Sequence, residues 1–276
     1  MPAVAASLIA RSVVAGLAVL AALTAVPPPA ASDAAPAPQP LMQDCAVCPV
    51  MVAVPAGRFT LGDARVPDAA PRGAEITRPF AIARGEITWR QWEACVAEGG
   101  CRGGQRDHGW GRGDRPVINV TLADAEAYAV WLSRRTGHRY RLPSEVEWEW
   151  AARAGSTSLY PWGEAMRPGL ANCRGCDGPV VEHGGTVPTG AYPANAWGLT
   201  EMNGNLWEMT ADCWTPGGAP AGRQQPWQPD PGCRDRVMRG GAWYYVPLLA
   251  ASAARARNAA DVWSYVVGFR VVRELD

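Results

Sequence analysis

Apolar residues recur at helical spacing in three stretches of this chain, and each stretch opens on a hydroxyl residue able to cap a helix. After Thr121, with Asp124 at the third helical position, Ala125, Tyr128, Ala129 and Leu132 fall at i, i+3, i+4 and i+7, and Gly137 is the stop. Thr88 and Gln91 form a capping-box pattern ahead of Trp89, Trp92, Ala94 and Val96, predicting a helix that ends near Glu98, before Gly99 and Gly100. Ser144 and Glu147 open a third helix, expected to turn Val146, Trp150 and Ala151 inward and to stop at Gly155. Short strands are predicted over residues 51–55, 59–61, 80–84, 236–239 and 266–272. Between 155 and 235 almost nothing is periodic, and Gly, Pro, Asn and Trp crowd the stretch. So long an irregular region in a compact domain needs pins, usually disulfides or bound ions.

The N-terminus changes the picture of where the protein works. Arg11 precedes an apolar run over 12–26, and Ala30, Ala31 and Ser32 follow, so residues 1–32 read as a signal peptide. The run falls short of the ~20 residues that span a bilayer, which disfavours the rival reading of an uncleaved anchor. No cysteine sits at the end of the run, which disfavours a lipid anchor there. Residues 33–44, rich in Ala and Pro, read as an extended linker, and 45–276 as a single domain. The mature chain is thus expected to be exported, periplasmic or secreted, with no membrane span.

Formal charge is zero, with arginines interspersed among acids, which argues against a nucleic-acid partner. There is no lysine, so Schiff-base chemistry and a Walker-type phosphate site are excluded. Thirteen Trp against three Phe suits a loop-rich core that needs apolar bulk with an N–H donor. Eight cysteines in an exported chain read as disulfides in four local couples: Cys45–Cys48, Cys95–Cys101, Cys173–Cys176 and Cys213–Cys233. The rival reading takes the two C-x-x-C elements as a zinc site or a redox pair, and sequence alone leaves the connectivity open.

Several segments, in order, resemble the formylglycine-generating enzyme (sulfatase-modifying factor) family. They include M-V-A-V-P-A-G-R-F-T-L-G (51–62), G-E-I-T-W-R-Q-W (85–92), R-P-V-I-N-V-T (115–121) and R-L-P-S-E-V-E-W-E-W-A-A-R (141–153). Y-P-W-G (160–163), G-N-L-W-E (204–208), R-V-M-R-G-G (236–241) and G-F-R (268–270) complete the set. The resemblance implies an α+β, C-type-lectin-like fold of low regular secondary structure, pinned by disulfides and calcium. Carried onto this chain, calcium would be held by Glu201, the carbonyls of Gly204 and Leu206, and Glu208, with a weaker second site at Asn172, the Cys173 carbonyl and Glu182. Such hard oxygen donors suit Ca²⁺. The alternative is that Glu201 and Glu208 are solvated loop acids.

The family's oxidases convert a substrate cysteine to formylglycine with copper between two cysteine thiolates and O₂ as oxidant. Here Tyr245 stands at the first thiol position, no cysteine follows Cys233, and the loop over 242–255 is shorter than in the oxidases. Thiolates select Cu(I), so copper is not expected. The ergothioneine sulfoxide synthases of the same fold use iron held by histidines of an added domain. This chain has three histidines, His108, His138 and His183, each expected in an ordinary loop or surface role. The exported pyoverdine-maturation enzyme, which also lacks the cysteine pair, is the nearer precedent.

A site is therefore expected under residues 243–258, with Trp243, Tyr244 and Tyr245 as an aromatic wall and Arg255, Arg257 and Asn258 orienting a carboxylate or amide. The alternative packs the aromatics in the core and pairs the arginines with Asp261 or Glu208. Two functions are open: a divergent oxidase or substrate-binding relative acting on a small molecule or peptide, or a non-catalytic, lectin-like binding or assembly module with a cell-envelope partner that uses the same groove. An exposed aromatic cluster would favour binding by stacking, and a closed pocket holding an acid and an arginine would favour chemistry.

Overall fold

Three helices form where the periodicity placed them, each on a capping box whose two hydrogen bonds are both made: α1, Trp89–Ala97; α2, Leu122–Thr136; and α3, Glu145–Arg153. The computed structural model describes residues 39–176, 184–218, 222–226 and 232–275. The expected signal peptide and the first half of the linker, 33–38, lie outside the described residues. Helix α2 ends on Gly137 in the left-handed conformation, as predicted. Helix α3 ends one residue early: Ala154, at φ 47°, takes the left-handed position while its N–H still reaches the Trp150 carbonyl. Its inward aromatic is Trp148 rather than Trp150. Glu145, Glu147 and Glu149 of α3 are buried too, which no hydrophobic pattern marks.

The strands in chain order are β1 Leu41–Met42, β2 Met51–Val54, β3 Gly57–Leu61, β4 Arg72–Ile76, β5 Phe80–Ala83 and β6 Tyr140–Arg141. After α3 come β7 Trp207–Cys213, β8 Gly222–Arg223, β9 Asp235–Arg239, β10 Arg255–Ala259, β11 Val267–Gly268 and β12 Val272–Glu274. They form three sheets, ordered β1-β2-β5-β12-β6, β10-β9-β7-β11 and β3-β4-β8. The strand predicted over 266–272 is two strands in different sheets. The break carries Phe269, Arg270 and Val271, all fully buried, with the Phe269 carbonyl accepting Ile87 N–H and the Val271 carbonyl accepting Ala83 N–H. Strand β7 lies in the stretch that looked aperiodic. Six of its seven residues are buried, so neither face is polar and there is no alternation to read.

The core holds ion pairs as well as apolar clusters. Glu147 takes the fork of Arg141 at 2.7 Å on both oxygens. Glu149 pairs with Arg153 at 2.8 Å and with Arg239, whose N–H groups also reach the carbonyls of Ser252, Ala253 and Ala254. The acids of S-E-V-E-W-E thus tie α3 to the segment beyond β9, which carries the candidate site. The four expected disulfides all form, and no cysteine is free. With every sulfur in a covalent bond, the zinc reading of the C-x-x-C elements falls away.

Candidate functional site

The candidate tract leaves β9 through two left-handed glycines, Gly240 and Gly241. A Cβ on Gly241 would stand 2.4 Å from the Leu249 carbonyl, so only glycine fits the turn. Trp243 N–H donates to the Asn205 carbonyl at 3.0 Å, and Tyr245 N–H donates to the Ala242 carbonyl at 2.9 Å.

An aromatic wall results, assembled from three loops. Trp243 meets Trp110 at 5.3 Å and Tyr244 at 5.5 Å edge-to-face, and Tyr265 at 6.1 Å with the rings tilted. His108 closes the group, 5.4 Å from Trp110 and 5.3 Å from Tyr265. Tyr244 and Tyr265 are 48% and 40% exposed, so the wall faces solvent. The Trp243 Nε1–H is buried with no partner. Beyond His108 the wall continues into a cavity of about 420 Å³, with Arg106 and Trp263 also in its lining.

Behind the wall sits a polar support. Asn205 donates to Glu86 at 2.7 Å and accepts from Asn172 at 3.1 Å, while Leu206 N–H donates to the other Glu86 oxygen at 3.1 Å. Burial, then the neighbouring carboxylates of Glu208 and Glu201, pushes the Glu86 carboxyl well above the usual range. Glu86 and Asn205 were not picked out from sequence, although both lie inside the quoted motifs.

The expected site residues divide. Trp243 and Tyr244 form the wall, and Tyr245 turns its ring edge-on to Trp207 at 5.8 Å. The Tyr245 carbonyl accepts Arg174 N–H at 2.9 Å, which brings the Cys173–Cys176 disulfide alongside the tract, and the Arg174 guanidinium lies 5.3 Å over Tyr244.

Arg255, Arg257 and Asn258 do not join. They lie on β10, paired antiparallel with β9 in the register Arg255↔Arg239, and the strand directs them away. Arg255 is buried against both oxygens of Glu145 and stacks on Trp214 at 4.5 Å. Arg257 is exposed and pairs with Asp235 at 3.2 Å, and Asn258 donates to the Val262 carbonyl at 2.9 Å. The acids that hold the arginines are therefore Glu145 and Asp235, not Asp261 or Glu208. His108, expected in an ordinary loop role, belongs to the wall. His138 lies 3.0 Å from Arg273, and His183 is outside the described residues.

The side chains expected to hold calcium are engaged otherwise. Glu208 is fully buried, accepting both arms of the Arg270 fork at 2.6 Å and the Trp148 Nε1–H at 2.7 Å. Glu201 accepts the N–H groups of Gly190 at 2.8 Å and Tyr192 at 3.2 Å, and burial raises its carboxyl. Gly204 donates its N–H to the Gly240 carbonyl. At the weaker second site, Asn172 bridges the Gly185 carbonyl and Asn205, the Cys173 carbonyl accepts Cys176 N–H, and Glu182 lies outside the described residues. Among the described residues no group of three or more His, Cys, Asp or Glu is arranged to hold a metal. In this arrangement Arg270 already neutralises the Glu208 carboxylate. The residues present do not fit copper held by thiolates, since all eight cysteine sulfurs are in disulfides.

Residues 37–275 match the family described as the sulfatase-modifying factor enzyme 1-like domain. The formylglycine-generating enzyme of Thermomonospora curvata is 30% identical over 286 residues, covering 80% of this chain and 92% of that one. The formylglycine-generating enzyme of Bos taurus is 36% identical over 171 residues, covering 58% of this chain and 44% of the relative, so the chain spans less than half of that protein's length. Among solved structures, PvdO from Pseudomonas aeruginosa superposes with a TM-score of 0.77 at 32% identity, covering 86% of this chain and 99% of PvdO.

Proposed function

The chain belongs to the sulfatase-modifying factor enzyme 1-like family, and from that premise we propose that it is an exported, substrate-binding relative of the formylglycine-generating oxidases that works without thiols. One observation carries the reading: all eight cysteines are consumed in four disulfides, while Tyr245 stands where the resemblance places the first catalytic thiol. Neither a thiolate ligand for Cu(I) nor a sulfur nucleophile is left. What the tract offers instead is a solvent-facing wall of Trp110, Trp243, Tyr244 and Tyr265, suited to stacking a planar or sugar-like ligand. Calcium and copper enter no step of this reading.

The four disulfides support an oxidising compartment, and among the described residues no helix is long and apolar enough to cross a membrane. The second reading, a non-catalytic lectin-like module of the cell envelope, draws on the same exposed wall and on the engagement of Arg255 and Arg257 with acids outside it. A divergent oxidase would have to draw its reactive groups from the wall and the adjoining cavity.

The test is mass spectrometry of a sulfatase-type cysteine peptide incubated with the purified protein, copper and a thiol reductant. The peptide is expected to return unchanged. Conversion of its cysteine to the aldehyde, faster than in the no-protein control, would overturn the reading.

A further inference from the structure

One disulfide is poorly explained as a pin. Cys45 and Cys48 are three positions apart, so the loop they close is short and the entropy gained by closing it is small. The loop also has other ties. Cys48 N–H donates to the Cys45 carbonyl at 3.0 Å, Gln43 Nε2 donates to the Cys48 carbonyl at 2.9 Å, and Leu41 pairs with Val52 across β1 and β2. Cys45 is half-buried and Cys48 is 1% exposed, so of the two Cys45 is the one that solvent reaches.

A cation is fixed on that sulfur. Arg135, in the last turn of α2, donates its Nε–H to Cys45 Sγ at 3.3 Å. The guanidinium is held from two other sides, by an ion pair with Glu98 and by the Trp131 ring at 5.7 Å. Glu98 in turn accepts the Trp131 Nε1–H at 2.9 Å. A disulfide sulfur is a weak acceptor that gains little from such a donor, whereas a thiolate in its place gains a charge-assisted bond. Among the described residues one other cysteine sulfur meets an arginine: Cys213, 3.6 Å from Arg236, but it is 2% exposed and bonded 20 residues away. The other charged groups around Cys45 are committed to each other. Asp44 accepts the Tyr140 hydroxyl and pairs with Arg273 at 3.3 Å, and His138 lies 4.0 Å from Asp44.

We propose that Cys45–Cys48 is a redox-active disulfide that oxidises a pair of reduced cysteines in a polypeptide. A substrate thiolate attacks Cys45 Sγ, the S–S bond breaks, and its electron pair leaves on Cys48 Sγ, which takes a proton from solvent. The second substrate thiolate then attacks the substrate sulfur of the mixed disulfide and expels Cys45 as a thiolate, beside Arg135. The substrate departs as a disulfide. The protein keeps the two electrons as a Cys48 thiol and a Cys45 thiolate, until exchange with another disulfide compound restores the bond. Stabilising the reduced form is what makes such a pair oxidising. The polypeptide class follows from the setting: β1 is an edge strand, and Leu41 on it is 58% exposed, offering backbone and apolar contacts to an extended chain. The resting protein is the electrophile, so this site needs no free thiol and goes beyond the reading of the aromatic wall.

The test incubates the mature protein with a synthetic peptide carrying two reduced cysteines, then alkylates and maps all eight protein cysteines. The peptide is expected to be converted to its disulfide, Cys45–Cys48 alone to open, and glutathione disulfide to close it again. In the reduced protein, alkylation of Cys45 should be half-maximal at a pH below about 8.5, the ordinary thiol value. Arg135→Met should raise that midpoint and slow peptide oxidation about tenfold, the worth of a hydrogen bond to a charged group. Arg135→Lys, which keeps the charge, should restore part of both.

A peptide that stays reduced, opening of another disulfide instead, or unfolding of the domain as Cys45–Cys48 opens would overturn the proposal. So would an Arg135→Met protein with an unchanged midpoint or rate. These results leave the thiol-free reading of the wall standing, and formylglycine production would sink that reading without altering this exchange.

Discussion

Glu208 accepts three hydrogen bonds in the interior, two from the Arg270 fork and one from Trp148, and neither member of the ion pair is exposed. Removing the carboxylate strands a buried guanidinium, so Glu208→Ala is expected to cost about 3–5 kcal/mol. Urea unfolding measures this, and the cost should be the same in excess calcium and in excess chelator. A cost that appears only with calcium present would restore Glu208 as an ion ligand. The sequence marked Glu208 as important through G-N-L-W-E but could not say what it faces, because its partner lies 62 residues away in G-F-R. Arg255, Arg257 and Asn258 were misplaced for a related reason. Which way a side chain points follows from the strand that carries it, and β10 gave no signal of its own. Glu86, Asn205 and His108 were missed because each becomes part of the site only through neighbours distant in the chain.

At the scale of elements, the helices were legible because each announces its own start. The Thr121–Asp124 box on α2 also carries a titration. Burial alone would raise the Asp124 carboxyl, but hydrogen bonds from Arg102 and Thr121 outweigh it and hold the group below its ordinary 3.8. A carboxyl depressed in the folded state stabilises above its unfolded value, and that contribution is lost as pH falls through the folded one. Asp124→Asn should therefore melt at a lower temperature than wild type at neutral pH, with the gap closing as pH falls below 3.8. A gap independent of pH would mean that the ion pair with Arg102 contributes nothing. Strand β7 was illegible for the opposite reason to the helices: covered on both faces, it has no polar rhythm. The 266–272 segment read as one strand because its burial is continuous, while its hydrogen bonds switch between sheets.

Across the whole molecule, the irregular half is held by covalent and ionic ties more than by regular structure. Cys213 and Cys233, 20 residues apart, close the Pro- and Gly-rich excursion between β7 and β9. Replacing both with Ser should cost about 3 kcal/mol in equilibrium unfolding, the loop-closure entropy released to the denatured chain. An unchanged midpoint would show that this excursion is pinned by other contacts. The disulfide couples were readable from spacing and from the expected leader, and the ordered motifs carried the fold. The site was only half readable, since the resemblance says where thiols would be expected and not what surrounds that position. The most direct measurement follows from that gap: intact mass of the protein, purified from an oxidising compartment, after denaturation in an alkylating reagent without reductant. A thiol-free site predicts that no alkyl group is added to any of the eight cysteines. Stoichiometric alkylation, above all at Cys173 or Cys176 beside Tyr245, would contradict it.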